Sequence, residues 1–143
     1  MRGYVTKPRV YVFSAYRSDK NLHQNRMNHA DLSCDLSLIP NDWKECEGSY
    51  KGVKEESFIV TGITAGKRVR ALARLYGQET YLVATEHTRE AYIVDVETGY
   101  HTHIGNLEYI GTEEPTDTDW TCVGGRYYST VVKGRLTDLP GGL

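Results

Sequence analysis

Two segments of helical period, about 21–39 and about 64–76, are set among short alternating stretches, and that order limits the fold of the 143-residue chain more than any other feature. Before the first helix, Arg9 to Tyr16 alternates, with Val10 and Val12 on one face and Tyr11 and Phe13 on the other. That pattern suits a pleated, half-buried strand. Asp19 and Asn21 can cap the helix that follows. Met27, Ala30, Cys34 and Leu38 form one stripe of that helix, and Leu32, Leu36 and Ile39 form the adjacent one. Pro40-Asn41-Asp42 ends it. Strands are expected at 43–50 and 56–61, joined by a Gly- and Lys-containing loop. Thr64 is an N-cap for the second helix, in which Val69, Leu72, Ala73 and Tyr76 repeat at helical spacing, and Gly77 is its stop. A strand at 80–85 follows, then a hairpin of 91–96 and 100–104 around Glu97-Thr98-Gly99.

The order β-α-β-β-α-β with an added hairpin predicts an α+β fold. The expected form is a ferredoxin-like antiparallel sheet with two helices on one face. Residues 1–8 read as an N-terminal arm and 9–112 as the ferredoxin-like domain. Residues 113–143 read as an acidic linker and a C-terminal hairpin or tail, with Trp120–Val123 and Arg126–Val132 as a final hairpin or an exchanged arm. The second sheet face carries many tyrosines and valines, so it is expected to pack against a partner rather than face water. Small ferredoxin-like subunits of the PII type close into trimers this way, with ligands in the clefts between neighbours.

A formal charge of -2 gives no electrostatic footprint for nucleic acid, and Lys67, Arg68, Arg70 and Arg74 read as the wet face of one helix. Eleven tyrosines against two phenylalanines favour wet pockets and subunit contacts over a deep core. The three cysteines, Cys34, Cys46 and Cys122, lack metal-ligand spacing and read as reduced thiols in a cytoplasm. No apolar run is long enough to span a membrane and no signal-peptide pattern is present, so a soluble, non-secreted protein is expected.

The chemistry-bearing candidates cluster in two places. The first strand ends in Ser14, Tyr16, Arg17 and Ser18, where a small anionic or zwitterionic ligand could be held. Glu55-Glu56 stands where a loop enters a strand, so the two side chains point to opposite faces. His101 and His103 share a face, as a metal would require, but no third ligand stands at convincing spacing.

Val12-Phe-Ser-Ala-Tyr-Arg-Ser18, then Asn25 and His29, then Gly48-Ser-Tyr-Lys51, then Glu55-Glu56 resemble, in order and spacing, the small phage enzymes that destroy S-adenosylmethionine. The similarity runs from about residue 8 to about residue 111, and the segment between Tyr50 and Glu55 is shorter than in the best-known member. The resemblance implies a lyase that forms 5′-methylthioadenosine and homoserine lactone in the cytoplasm of a bacterial host. It would work without metal or cofactor as a homotrimer with its site between subunits, and would counteract restriction-modification.

On that basis Glu56, Glu55 and Tyr50 are the catalytic candidates, with Glu56 preferred. Phe13, Ser14, Tyr16, Arg17 and His29 are the substrate-binding ones. Phe13 or Tyr16 would lie against adenine, and Ser14 and Arg17 would reach the substrate carboxylate or ribose. Each also has a plainer role open to it: Tyr50 in cross-strand packing, Arg17 in a surface pair with Asp19 or Asp31. A hydrolase with a glutamate-activated water, and a non-catalytic trimeric module binding an adenine-containing ligand, are the alternative functions.

Overall fold

The computed structural model describes residues 9–50, 52–62, 65–86, 88–116 and 118–131. The expected arm 1–8, the Thr64 cap and the tail beyond 131 lie outside these residues. The elements are β1 (Arg9–Phe13), α1 (Leu22–Leu36), β2 (Asp42–Tyr50), β3 (Val53–Thr61) and α2 (Ala65–Leu75). They are followed by β4 (Thr80–Thr85), β5 (Glu90–Asp95), β6 (His101–Gly111), β7 (Trp120–Val123) and β8 (Arg126–Val131).

The expected open ferredoxin-like sheet is corrected by the topology. The strands close into an eight-stranded antiparallel barrel in the order β1-β3-β2-β7-β8-β6-β5-β4. An open sheet would leave β2 and β4 as edges, each a row of unpaired backbone groups. Here β4 pairs with β5, and β2 pairs with β7 through Glu47↔Cys122, Gly48↔Thr121 and Ser49↔Trp120. The β7–β8 hairpin then joins β6, with Leu107 opposite Thr130 and Glu108 opposite Ser129. Closure removes the edges and turns the sheet face expected to meet a partner into the lining of a lumen.

Alternation sorts the side chains between lumen and helix layer. Tyr11 lies opposite Val60 and Val83, and Phe13 opposite Phe58, all on the outer face. This face is buried beneath Leu32 and Leu36 of α1 and Ala65, Val69 and Ala73 of α2. The main core therefore lies outside the barrel wall, between strands and helices. Val12, opposite Ile59 and Leu82, faces the lumen instead.

Helix α1 begins with Asn21, whose side chain accepts the Gln24 N–H at 2.8 Å. It turns a different stripe inward from the Met27-Ala30-Cys34-Leu38 one: Asn25, His29, Leu32 and Leu36 are buried, while Met27 is 50% and Leu38 84% exposed. The rotation follows from two polar anchors. Asn25 Oδ1 accepts the Arg17 N–H at 2.9 Å and its Nδ2 donates to Arg17 O at 3.1 Å, and the His29 ring stacks on Phe58 at 4.3 Å. Gly77 ends α2 at φ +69, where its N–H reaches Arg74 O and the Gln78 N–H reaches Ala73 O.

Candidate active site in the barrel lumen

At one end of the barrel the β2–β3 hairpin projects beyond the last residue of β1, since Phe13 pairs with Phe58, five residues into β3. The lumen widens there into a cavity of about 280 Å³. Its wall includes Ser14 at the end of β1, Tyr50 and Glu55 on the projecting hairpin, and Asp119, Trp120 and Tyr128 on the closing hairpin.

Glu55 is the lumen-facing member of the glutamate pair. It is half-buried, and desolvation raises its carboxyl above the ordinary value. No ion pair among the described residues offsets that burial. Tyr50, across the hairpin from Val53, is 54% exposed at the mouth. Ser14 Oγ donates to Glu56 O at 2.7 Å and accepts the Tyr16 N–H at 2.9 Å, so this hydroxyl fastens the strand end while lining the cavity. Phe13 touches the cavity wall, but at 4% exposure it belongs to the core under the helices.

The alternation of β3 carries Glu56 to the opposite face, away from the cavity. There Tyr16 Oη donates to Glu56 Oε2 at 2.8 Å, and burial together with this carboxylate raises the Tyr16 phenol. His29 Nε2 lies 2.8 Å from Glu45 Oε1, and the Tyr16 ring meets the His29 ring edge-on at 6.1 Å. Arg17 belongs to neither set. Its Nε and Nη2 donate to Asp19 at 2.8 and 3.0 Å, and its Nη1 donates to Gly77 O at 2.6 Å. It pins the β1–α1 loop to the end of α2. The expected site residues thus divide: Ser14, Tyr50 and Glu55 meet in the lumen, with Phe13 behind the wall, while Tyr16, His29 and Glu56 form an outer cluster.

Asp119, Trp120 and Tyr128 were assigned no role by sequence reasoning, because they sit in and after an acidic stretch that resembles a linker. The signal was the two short aromatic-bearing stretches Trp120–Val123 and Arg126–Tyr128 on either side of Gly124-Gly125, which mark a hairpin; its register puts Tyr128 on the face of Thr121 and Glu55, and Tyr127 on the face of Cys122 and Glu56. Trp120 is 5% exposed and packs edge-on against Tyr127 at 4.9 Å. His101 and His103 are exposed on the outer wall beside Tyr92. Among the described residues no three His, Cys, Asp or Glu side chains are grouped to hold a metal, and no helix is long and apolar enough to cross a membrane.

The model of the S-adenosylmethionine lyase family matches residues 11–131. The chain belongs to that family. The match spans every strand of the barrel except the first two residues of β1, so the closing hairpin is part of the family's own unit. The activity that goes with the family is that of a lyase acting on S-adenosylmethionine. No curated protein matches the sequence.

Proposed function

We propose that S-adenosylmethionine binds in the lumen of this lyase and is split there into 5′-methylthioadenosine and homoserine lactone. The observation that carries the reading is Glu55, a half-buried, unbridged carboxyl on the wall of an otherwise largely apolar cavity. Such a group calls for a cationic ligand, and S-adenosylmethionine brings two positive centres, the sulfonium and the α-ammonium.

The substrate supplies its own nucleophile. A carboxylate oxygen attacks the γ-carbon, the new C–O bond closes a five-membered lactone, and the C–S pair leaves with sulfur as a neutral thioether. No proton moves, so the chain needs no activated Ser, Cys or water. Positive sulfonium and negative carboxylate cancel in the transition state, so a cavity walled by Trp120, Tyr128, Leu82 and Ile93 favours it over water. A carboxylate about 4 Å from the sulfonium would stabilise the ground state by roughly 1–4 kcal/mol and lose that contact as the charge vanished. Glu55 is therefore assigned to the α-ammonium, whose charge persists, with Asp119 across the cavity. Holding the chain folded so that oxygen faces the γ-carbon is the larger contribution, up to roughly 7–11 kcal/mol in well-aligned intramolecular reactions.

Turnover in ¹⁸O-water tests the chemistry. Early product is expected to be unlabelled lactone, whose later opening labels only the carboxyl group. Label on the γ-hydroxyl from the first turnover would mean direct hydrolysis. Because the lumen is walled by one chain, catalysis on this reading does not require a second subunit. The homotrimer is proposed on the resemblance. Depletion of the methyl donor would blunt restriction-modification in a bacterial host, which fits a phage protein.

A further inference from the structure

The β2–β3 hairpin carries Tyr50 and Glu55 near its tip, and the sheet supports that end thinly. Pairing of β1 with β3 stops at Phe58, and pairing of β7 with β2 stops at Ser49. Past those positions the two strands pair only with each other among the described residues, ending at Tyr50↔Val53. Tyr50 and Val53 are both more than half exposed. A two-stranded end of this kind is marginal on its own.

Strand alternation gives Lys54 a part in this. Glu55 faces the lumen, so Lys54 beside it faces outward. Lys54 Nζ donates to Glu114 Oε1 at 2.8 Å, across sixty residues of sequence, in the connection between β6 and β7. That connection is anchored at both ends. Gly111, the last residue of β6, pairs with Tyr127. At the other end Ser129 Oγ donates to Asp119 O at 2.7 Å and lies 3.1 Å from Thr118 Oγ1. Pro115 restricts the backbone of Glu114 towards extended conformations. The ion pair therefore ties the tip of one hairpin to a segment fastened on the other.

Its leverage is local. The two side chains are 56% and 43% exposed, so the pair adds little to global stability. It acts on a hairpin end whose alternative is to swing away from the barrel, and a modest bias there sets how often Glu55 is in place.

We propose that the Lys54–Glu114 ion pair is a latch that holds the tip of the β2–β3 hairpin against the β6–β7 connection and so positions Glu55 and Tyr50 for the reaction. Lys54 and Glu114 are positioning residues, and neither has to touch the substrate. The proposal rests on Glu55 serving the substrate, as assigned above, and not on which further groups complete the site.

Steady-state kinetics on S-adenosylmethionine test it with Glu114→Gln, Lys54→Gln, Lys54→Arg and Glu113→Gln, beside Glu55→Gln. Breaking the pair from either side should lower kcat/KM about two- to fivefold, the range over which an exposed pair can bias an equilibrium, while the melting temperature holds. Lys54→Gln/Glu114→Gln should lose no more than either single variant, since the two act through one contact. Lys54→Arg keeps the pair, and Glu113→Gln removes the same charge one residue away without breaking it, so both should match wild type. In Glu114→Gln the acid limb of the kcat/KM profile should move down towards the ordinary carboxylate value, because a released Glu55 is better hydrated. A general loss of structure would leave that limb where it is. Unchanged kcat/KM in Glu114→Gln, an equal loss in Glu113→Gln, additive losses in the double variant, a matching fall in melting temperature or an unmoved acid limb would each overturn the latch. Loss of turnover in Glu55→Gln without loss in Glu114→Gln would refute the latch and spare the site. Full activity in Glu55→Gln would refute the site itself, so the two failures are separable.

Discussion

Replacing Glu55 with glutamine keeps the side chain's size and removes only its charge. In the lumen that charge is assigned to the substrate's α-ammonium. A hydrogen bond between charged groups is worth roughly 1.5–3 kcal/mol net, and the Coulomb term at about 4 Å and an effective dielectric near 20 sets an upper figure of about 4 kcal/mol. Glu55 is half exposed, so the lower range applies, and kcat/KM should fall by roughly 10- to 150-fold.

Stability should move the other way. Desolvation raises the Glu55 carboxyl in the folded state. A raised carboxyl favours the fold as pH drops towards the unfolded value and withdraws that support above the folded one. At neutral pH the ionised side chain is therefore a liability, and Glu55→Gln should melt at or above the wild-type temperature. The same sign gives the activity profile an acid limb. Wild-type kcat/KM should decline as pH falls through a value above the usual range for glutamate, roughly 4.3, and the residual activity of Glu55→Gln should be flat there. Glu56→Gln, facing Tyr16 on the outer wall, should keep turnover within a few-fold. A Glu55→Gln enzyme with kcat/KM within threefold of wild type would refute the lumen assignment. So would a Glu56→Gln enzyme that lost turnover while its melting temperature held.

Trp120→Ala should cost about 3–5 kcal/mol, because the ring is 5% exposed and packed on Tyr127, and urea unfolding would measure the loss. An effect below about 1 kcal/mol would mean that the closing hairpin carries little of the barrel's stability. In sedimentation at micromolar concentration the full chain is expected to run as a homotrimer. A fully active monomer would refute the trimer and leave the lumen site standing.

Much of the local structure was legible in the residues. Asn21 caps α1, Gly77 stops α2, and the hairpin at Glu97-Thr98-Gly99 forms, because caps and turns answer to their own few residues. The opposed directions of Glu55 and Glu56 were also legible, since a strand's period of two needs no neighbours. Which of the two faces the lumen was not. That depends on which side of β3 the helices cover, and a repeat in one strand does not state it. Of the two stripes expected on α1, Leu32 and Leu36 of one are buried, whereas Met27 and Leu38 of the other are exposed, for a similar reason. Met27 and Leu38 are apolar, but Asn25 and His29 have partners only in the folded chain, at Arg17 and Phe58. Closure of the barrel was the least visible feature. It rests on β2 finding β7 some seventy residues later and on β8 finding β6. Those pairings are made by backbone groups that every sequence carries, so only the tertiary structure could turn an open sheet into a lumen.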